Sequence, residues 1–326
     1  MTVGAPTPPS PASGGGPTDG APGMRATNGA VAVAERRELV RSTARRSLGR
    51  RRQLGRVAQV ACALACAIAL VPLVALAYEV ISRGIDALSV AFFVHTPTPP
   101  GIPGGGIADS IVGTVVIVAL AMVMAMVVAL FVALFLIDRS GPIASTLRFS
   151  ADVLTGVPSI AIGIFVYAAI VRPMHQFSGF AGSVALAILM VPIMIRADEE
   201  AMRTVPVDLW EAGMALGVRR ARVMRSVVLR ESLPALVTGN LLAVARGVGE
   251  TAPLLFVIGG GIGGMVTWNP LHPMSAMTIT IYEDGTQAFP AAQQTAWGTA
   301  LVLLFMVLVL SVVARIVAAR MTRHAR

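Results

Sequence analysis

The chain has 326 residues, 55% of them hydrophobic and 13% charged, with a mean hydropathy of +0.75, which excludes an ordinary soluble domain and leaves a membrane protein. Its formal net charge of +9 comes from arginine alone, because lysine is absent. A phosphate loop of the Gly-x4-Gly-Lys-Ser/Thr kind is therefore excluded, and any ATP hydrolysis belongs to another chain.

In chain order, residues 1–56 begin as a Pro, Gly, Ala, Ser and Thr tail that cannot bury enough apolar surface to order itself, and end as an Arg-rich stretch on the cytoplasmic side. Six charge-poor apolar runs follow, each near the length needed to cross a bilayer: Val57 to Tyr78, Ile111 to Ile137, Val153 to Val171, Phe180 to Ile195, Ala235 to Ile258 and Ala296 to Ala314. The first is longer than a signal-peptide core. Glu79 and Arg83 follow it in place of a small-residue cleavage site, so it reads as a retained helix. Cys62 and Cys66 lie four apart within it, a poor geometry for a disulfide, and read as small apolar-face residues. The four histidines are scattered with no metal-ligand spacing.

Orientation follows from arginine placement. With the N-terminus inside, 23 of 26 arginines fall on the cytoplasmic side, as the positive-inside rule requires. The exceptions are Arg83, Arg172 and Arg246. Both termini are thus expected in the cytoplasm, and residues 57–320 form one all-α, six-helix membrane domain including the internal loop 196–232, followed by a short cytoplasmic tail, 321–326. Two external segments, Glu79 to Asp109 and Gly259 to Thr295, are rich in glycine or proline. Within the first, Ile81 to Val94 reads either as a helix lying in the outer interface, anchored by Phe92 and Phe93, or as a plain loop.

The longest internal loop, 196–232, is too regular for a connector. Asp208 is placed to cap a short helix and Gly217 to end it. A second helix with Val218, Val223, Val227 and Val228 among its arginines follows. This stretch resembles the EAA loop of ABC-importer permeases, whose pattern is Glu-Ala-Ala, three residues, Gly, nine residues, and Ile-x-Leu-Pro. Glu211, Ala212 and Gly217 match it, and Val227 and Leu229 fill the apolar positions. Gly213 replaces the third-position Ala and Arg230 the Pro, although Leu233 and Pro234 follow. The resemblance implies that Glu211, Ala212, Gly213 and Gly217 belong to a coupling helix that receives the movement of an ATPase subunit.

Two charges fall inside the fifth run. An intramembrane charge is costly and normally faces protein or a water-filled path. Arg246 stands near mid-span, and Glu250, one helical turn further, is placed to pair with it. Gly247 and Gly249 permit close helix approach, and Pro253 weakens the outer end. The pair reads either as a structural ion pair or as an anion-handling site in which the planar guanidinium meets an oxyanion and Glu250 orients it.

The string Gly249 to Phe256 resembles the signature of PstA-type phosphate permeases. Pro103 to Ala108 leading into Ile111 to Thr114, and Val157 to Tyr167, resemble that family too. The resemblance covers about residues 57 to 320. It implies a type I, MetI-like fold, a substrate path through Arg246, Glu250, Thr251 and Ser159, and no cofactor on this chain, with ATP and Mg on the partner ATPase. It also implies a PstC-type second permease, a PstB-type ATPase dimer, a PstS-type phosphate-binding protein, inorganic phosphate and membrane lipid as partners, with no nucleic acid. Rival readings are a permease for another oxyanion or an amino acid, and a membrane scaffold or sensor for phosphate signalling.

Overall fold

The computed structural model describes residues 55–99, 102, 104–260 and 265–324. The predicted disordered tail lies outside them as far as residue 54, as do Pro103, the external glycines Gly261, Gly263 and Gly264, and the last two residues of the C-terminal tail. Among the described residues the regular structure is helical and no strand occurs.

The chain divides into two compact units, 1–74 and 75–326. In the first, residues 55–74 are helical with every side chain exposed, and Cys62 and Cys66 are free thiols. They open α1, Gly55–Ala87. In the second unit follow α2 (Val90–Val94), α3 (Ala108–Asp138), α4 (Pro142–Thr155) and α5 (Ser159–Met174), then α6 (Gly179–Arg203), α7 (Val207–Ala215), α8 (Arg220–Val248), α9 (Met277–Gly285) and α10 (Pro290–His324). Five of them, α1, α3, α6, α8 and α10, are long and apolar enough to cross a membrane, and the bent pair α4–α5, taken as one span, makes a sixth. The six-pass, all-α architecture read from the apolar runs is the one found.

The core of the bundle is α3 against α6. Between helices in lipid there is little hydrophobic drive, so close approach by small residues supplies the packing energy. In α3, Ala121, Ala125, Ala129 and Ala133 recur every four residues, each with 0% exposure. On α6, Ala181, Ala185, Leu186, Met190 and Met194 are buried with them. The α6 helix starts at Ser178, whose hydroxyl accepts from the Ala181 amide at 3.2 Å, and it accommodates Pro192 internally.

Three spans differ from their apolar runs. The third run, Val153 to Val171, passes through a 101° bend between α4 and α5. Gly156 closes α4 and Pro158 precedes α5. Proline has no N–H to continue the first helix and disfavours helical backbone at Val157, a break to which hydropathy is blind. The fourth pass continues beyond Ile195 to Arg203, because its charged last turns are neutralised within the fold. Glu199, almost fully buried, receives Arg148 Nε at 2.7 Å, Arg203 Nη2 at 2.6 Å and Arg196 Nη1 at 3.5 Å. Arg196 also pairs with Asp152 of α4.

The fifth pass is shifted by a similar mechanism. The expected second short helix of the internal loop is the base of α8, which runs unbroken from Arg220 through a π-helical turn, Met224–Val228, and ends at Val248, ten residues short of Ile258. Beyond it the chain goes on as irregular backbone with one 3-10 turn, Leu254–Phe256. Non-helical backbone at membrane depth needs internal partners. Here the Ser178 amide donates to the Val257 carbonyl at 3.1 Å and the Met274 amide to that of Ile258 at 3.3 Å.

At the end of the bundle opposite α7, the stretch Ile81 to Val94, read as an interfacial helix or as a plain loop, is neither one continuous helix nor all loop. Ile81 to Ala87 finish α1, and α2 is a separate five-residue helix capped by Ser89. Phe92 is 3% exposed and packs against the Gly298 position of α10, while Phe93 stays exposed. An aromatic side chain beside a glycine notch gains more from that notch than from the interface.

Candidate functional site

The end of α8 opens on a cavity of about 130 Å³, roughly ten times the minimum that one water requires. Its walls are Leu189, Met190 and Ile193 of α6, Ala243, Arg246 and Gly247 of α8, and the α4–α5 break from Leu154 to Ser159, with Glu250 beyond the α8 terminus. Gly247 makes the approach of the two helices possible. A Cβ there would lie 2.9 Å from Met190 Sδ. Gly163 does the same for the irregular segment, since its Cβ would lie 2.8 Å from Pro253 Cα.

Three of the four residues expected on the substrate path, Arg246, Glu250 and Ser159, line this one cavity. Thr251 is half-buried and outside the lining. The expected Arg246–Glu250 pair on one helical face does not form. The helix stops at Val248, and Glu250 continues in a turn whose amide donates to the Gly247 carbonyl at 3.2 Å. Arg246 sits in the last turn of α8, where a cation is favoured by the carbonyl end of the helix. Its guanidinium is exposed to the cavity with no hydrogen-bond or ion-pair partner among the described residues. Ser159 is the first residue of α5, so the amide-rich N-terminal end of that helix opens on the same space. The cavity thus pairs a free guanidinium and a helix N-terminus with one carboxylate, an arrangement suited to a small anion held loosely.

The Glu199 cluster was not among the expected site residues. Asp152 and Arg196 lie one turn from the cavity-lining residues Thr155 and Ile193, on the α7 side. The signal was present as Arg196, Glu199 and Arg203 at helical spacing, which marks paired charges on one helix face.

The α7 helix has no buried residue. Val207, Leu209, Met214 and Leu216 are exposed, as are Glu211, Ala212 and Gly217. Gly217, at φ 76°, ends the helix in the left-handed conformation expected of it. Asp208 does not cap it. Pro206 occupies that position, and Asp208 lies in the first turn, where its charge still suits the helix dipole. Gly213 seats α7 on the base of α8, for a Cβ there would lie 3.0 Å from Val223 Cγ2. The glycine that departs from the EAA pattern is a point of close approach between the two helices.

Apolar helices folded around an internal polar cavity, with an amphipathic helix displayed at one end, describe a multi-pass membrane permease. The chain belongs to the family of binding-protein-dependent transport system inner membrane components, whose profile matches residues 125–326. It is 35% identical over 273 residues to the phosphate transport system permease protein PstA of Yersinia pestis, covering 83% of this chain and 92% of that protein. It is 34% identical over 265 residues to PstA 1 of Mycobacterium tuberculosis strain H37Rv, covering 79% and 85%. Among solved structures, a chain of the inward-facing MetNI methionine ABC transporter shares the fold, with a TM-score of 0.53 at 19% identity over 66% of this chain and 97% of that one.

Proposed function

We infer that this chain is the transmembrane permease subunit of an ATP-driven phosphate importer, forming half of the translocation path. The observation that carries this reading is the cavity, in which the unpaired Arg246 meets Glu250 and the N-terminal end of α5. The PstA relatives give the anion its identity. A planar guanidinium matches phosphate oxygens, and a nearby carboxylate keeps the site shallow enough to release them.

In this reading the chain is not itself an enzyme and carries no cofactor. ATP and Mg are bound by a PstB-type ATPase dimer docked on α7, a PstC-type permease completes the path, and a PstS-type protein delivers phosphate outside. The protein resides in the bacterial inner membrane with both termini in the cytoplasm, in agreement with the arginine distribution. Closure of the ATPase pushes α7 and rocks the bundle between inward-open and outward-open states around the cavity. By linkage, a loaded binding protein outside favours that closure inside.

The test is phosphate uptake into proteoliposomes carrying the whole complex, with the ATPase rate recorded in parallel, for the parent and for Arg246→Gln. Uptake is expected to fall about 10-fold or more while ATP hydrolysis continues, given the strength of a hydrogen bond to a charged group. Uptake at the parental rate would make Arg246 structural.

A further inference from the structure

One guanidinium at the base of the bundle ties its own helix to two other elements. Arg220 opens α8. Its Nε contacts Asp138 Oδ1 at 2.7 Å, and its Nη2 donates to the Asp138 carbonyl at 3.1 Å. Asp138 is the last residue of α3. The same guanidinium carbon lies 5.9 Å from the centre of the Trp210 ring on α7. Arg139 also reaches Asp138, at 3.3 Å, but belongs to the same strand of chain and joins no second element.

These contacts connect the two walls of the cavity. One wall is the upper part of α8, which carries Ala243 and Arg246 on the helix that Arg220 begins. The other is α6, which is seated on α3 through the alanine stripe ending at Ala133, just above Asp138. We propose that Arg220 is a positioning residue that clamps these walls together at their α7 end and lets α7 set the clamp through Trp210. This rests on the reading of α7 as the helix on which the ATPase docks. A planar fork can grip the carboxylate and the terminal carbonyl of Asp138 while presenting its face to an indole, which an ammonium cannot do. A displacement of α7 therefore reaches both walls through one side chain. An exposed ion pair contributes little to stability, so removal of this one should alter coupling far more than folding.

The experiment uses the complete complex with spin labels on Glu200 of α6 and Leu242 of α8, both exposed and outside the cavity lining, together with phosphate transported per ATP hydrolysed. In the parent, trapping the ATPase closed should change the label distance. In Arg220→Gln the change should disappear, and the transport ratio should fall roughly fivefold or more, with the thermal midpoint unmoved. The exchanged pair Arg220→Asp with Asp138→Arg, which restores the charges but leaves no guanidinium on α8 to face Trp210, should leave the distance change absent. A distance change that persists in Arg220→Gln, or one that the exchange recovers, overturns the proposal. If Arg220→Gln fails to assemble, Trp210→Leu carries the test, because it leaves the ion pair and removes only the ring; an unaltered distance change there is equally fatal. A parent complex that moves no phosphate would overturn the function and leave the distance measurement to judge the clamp.

Discussion

The α3–α6 seam and the α8 side of the cavity cross the same membrane with opposite materials. The seam is continuous helix, zipped by alanines with no exposed area and finished by a buried carboxylate among three arginines. Across the cavity, nearly every element is interrupted: a 101° bend at Gly156 to Pro158, a π turn at Met224–Val228, and an early helix end at Val248. The seam resists deformation because small residues leave no slack. The facing wall is broken where backbone groups must be offered to the cavity, and the glycines there, Gly163 and Gly247, exist to let chain approach chain.

That contrast can be tested at both ends. The largest loss is expected from Glu199→Gln, which leaves Arg148 and its neighbours without their shared carboxylate. A cost of about 3 kcal/mol should show as a fall in assembled, detergent-stable protein. Ala125→Leu, which forces a larger side chain into the alanine stripe, should cost about 1–3 kcal/mol, read as a lower thermal midpoint. If either variant assembles and melts as the parent does, the seam is not the rigid half.

The smallest effect concerns the end opposite α7, outside the spans, where Asp284 lies beside Glu283. Burial first, then the charges of Glu283 and Asp109, push the Asp284 carboxyl up to about 6, and burial raises Glu283 as well. A carboxyl whose pKa is raised in the fold supports stability below its ordinary range and loses that contribution as pH rises through about 6. Asp284→Asn should therefore raise the thermal midpoint at pH 7.5 and leave it nearly unchanged at pH 4. Equal shifts at both values would show that charge is not the cause.

Much of this was legible in the residues. Composition marked the passes, and a charge inside an apolar run marked Arg246 as facing protein or a polar space. Gly217 was placed by the one conformation that ends a helix before a reversal. The misses share a cause: hydropathy counts side chains and ignores the backbone. Val157 and Pro158 announce a break, yet the apolar run continues through them. Arg196, Glu199 and Arg203 look like a loop until their mutual neutralisation is seen, and Glu250 looks like a partner for Arg246 only while α8 is assumed to continue.

The π turn in α8 has a consequence for every helical wheel drawn through it. A π turn holds one residue more than an α-helix uses over the same rise, so the stretch above Val228 is rotated by about 100° from where an unbroken α-helix starting at Arg220 would carry it. The helix gripped at its foot and the helix lining the cavity are one rod, and the extra residue sets which face of that rod Arg246 presents to the cavity.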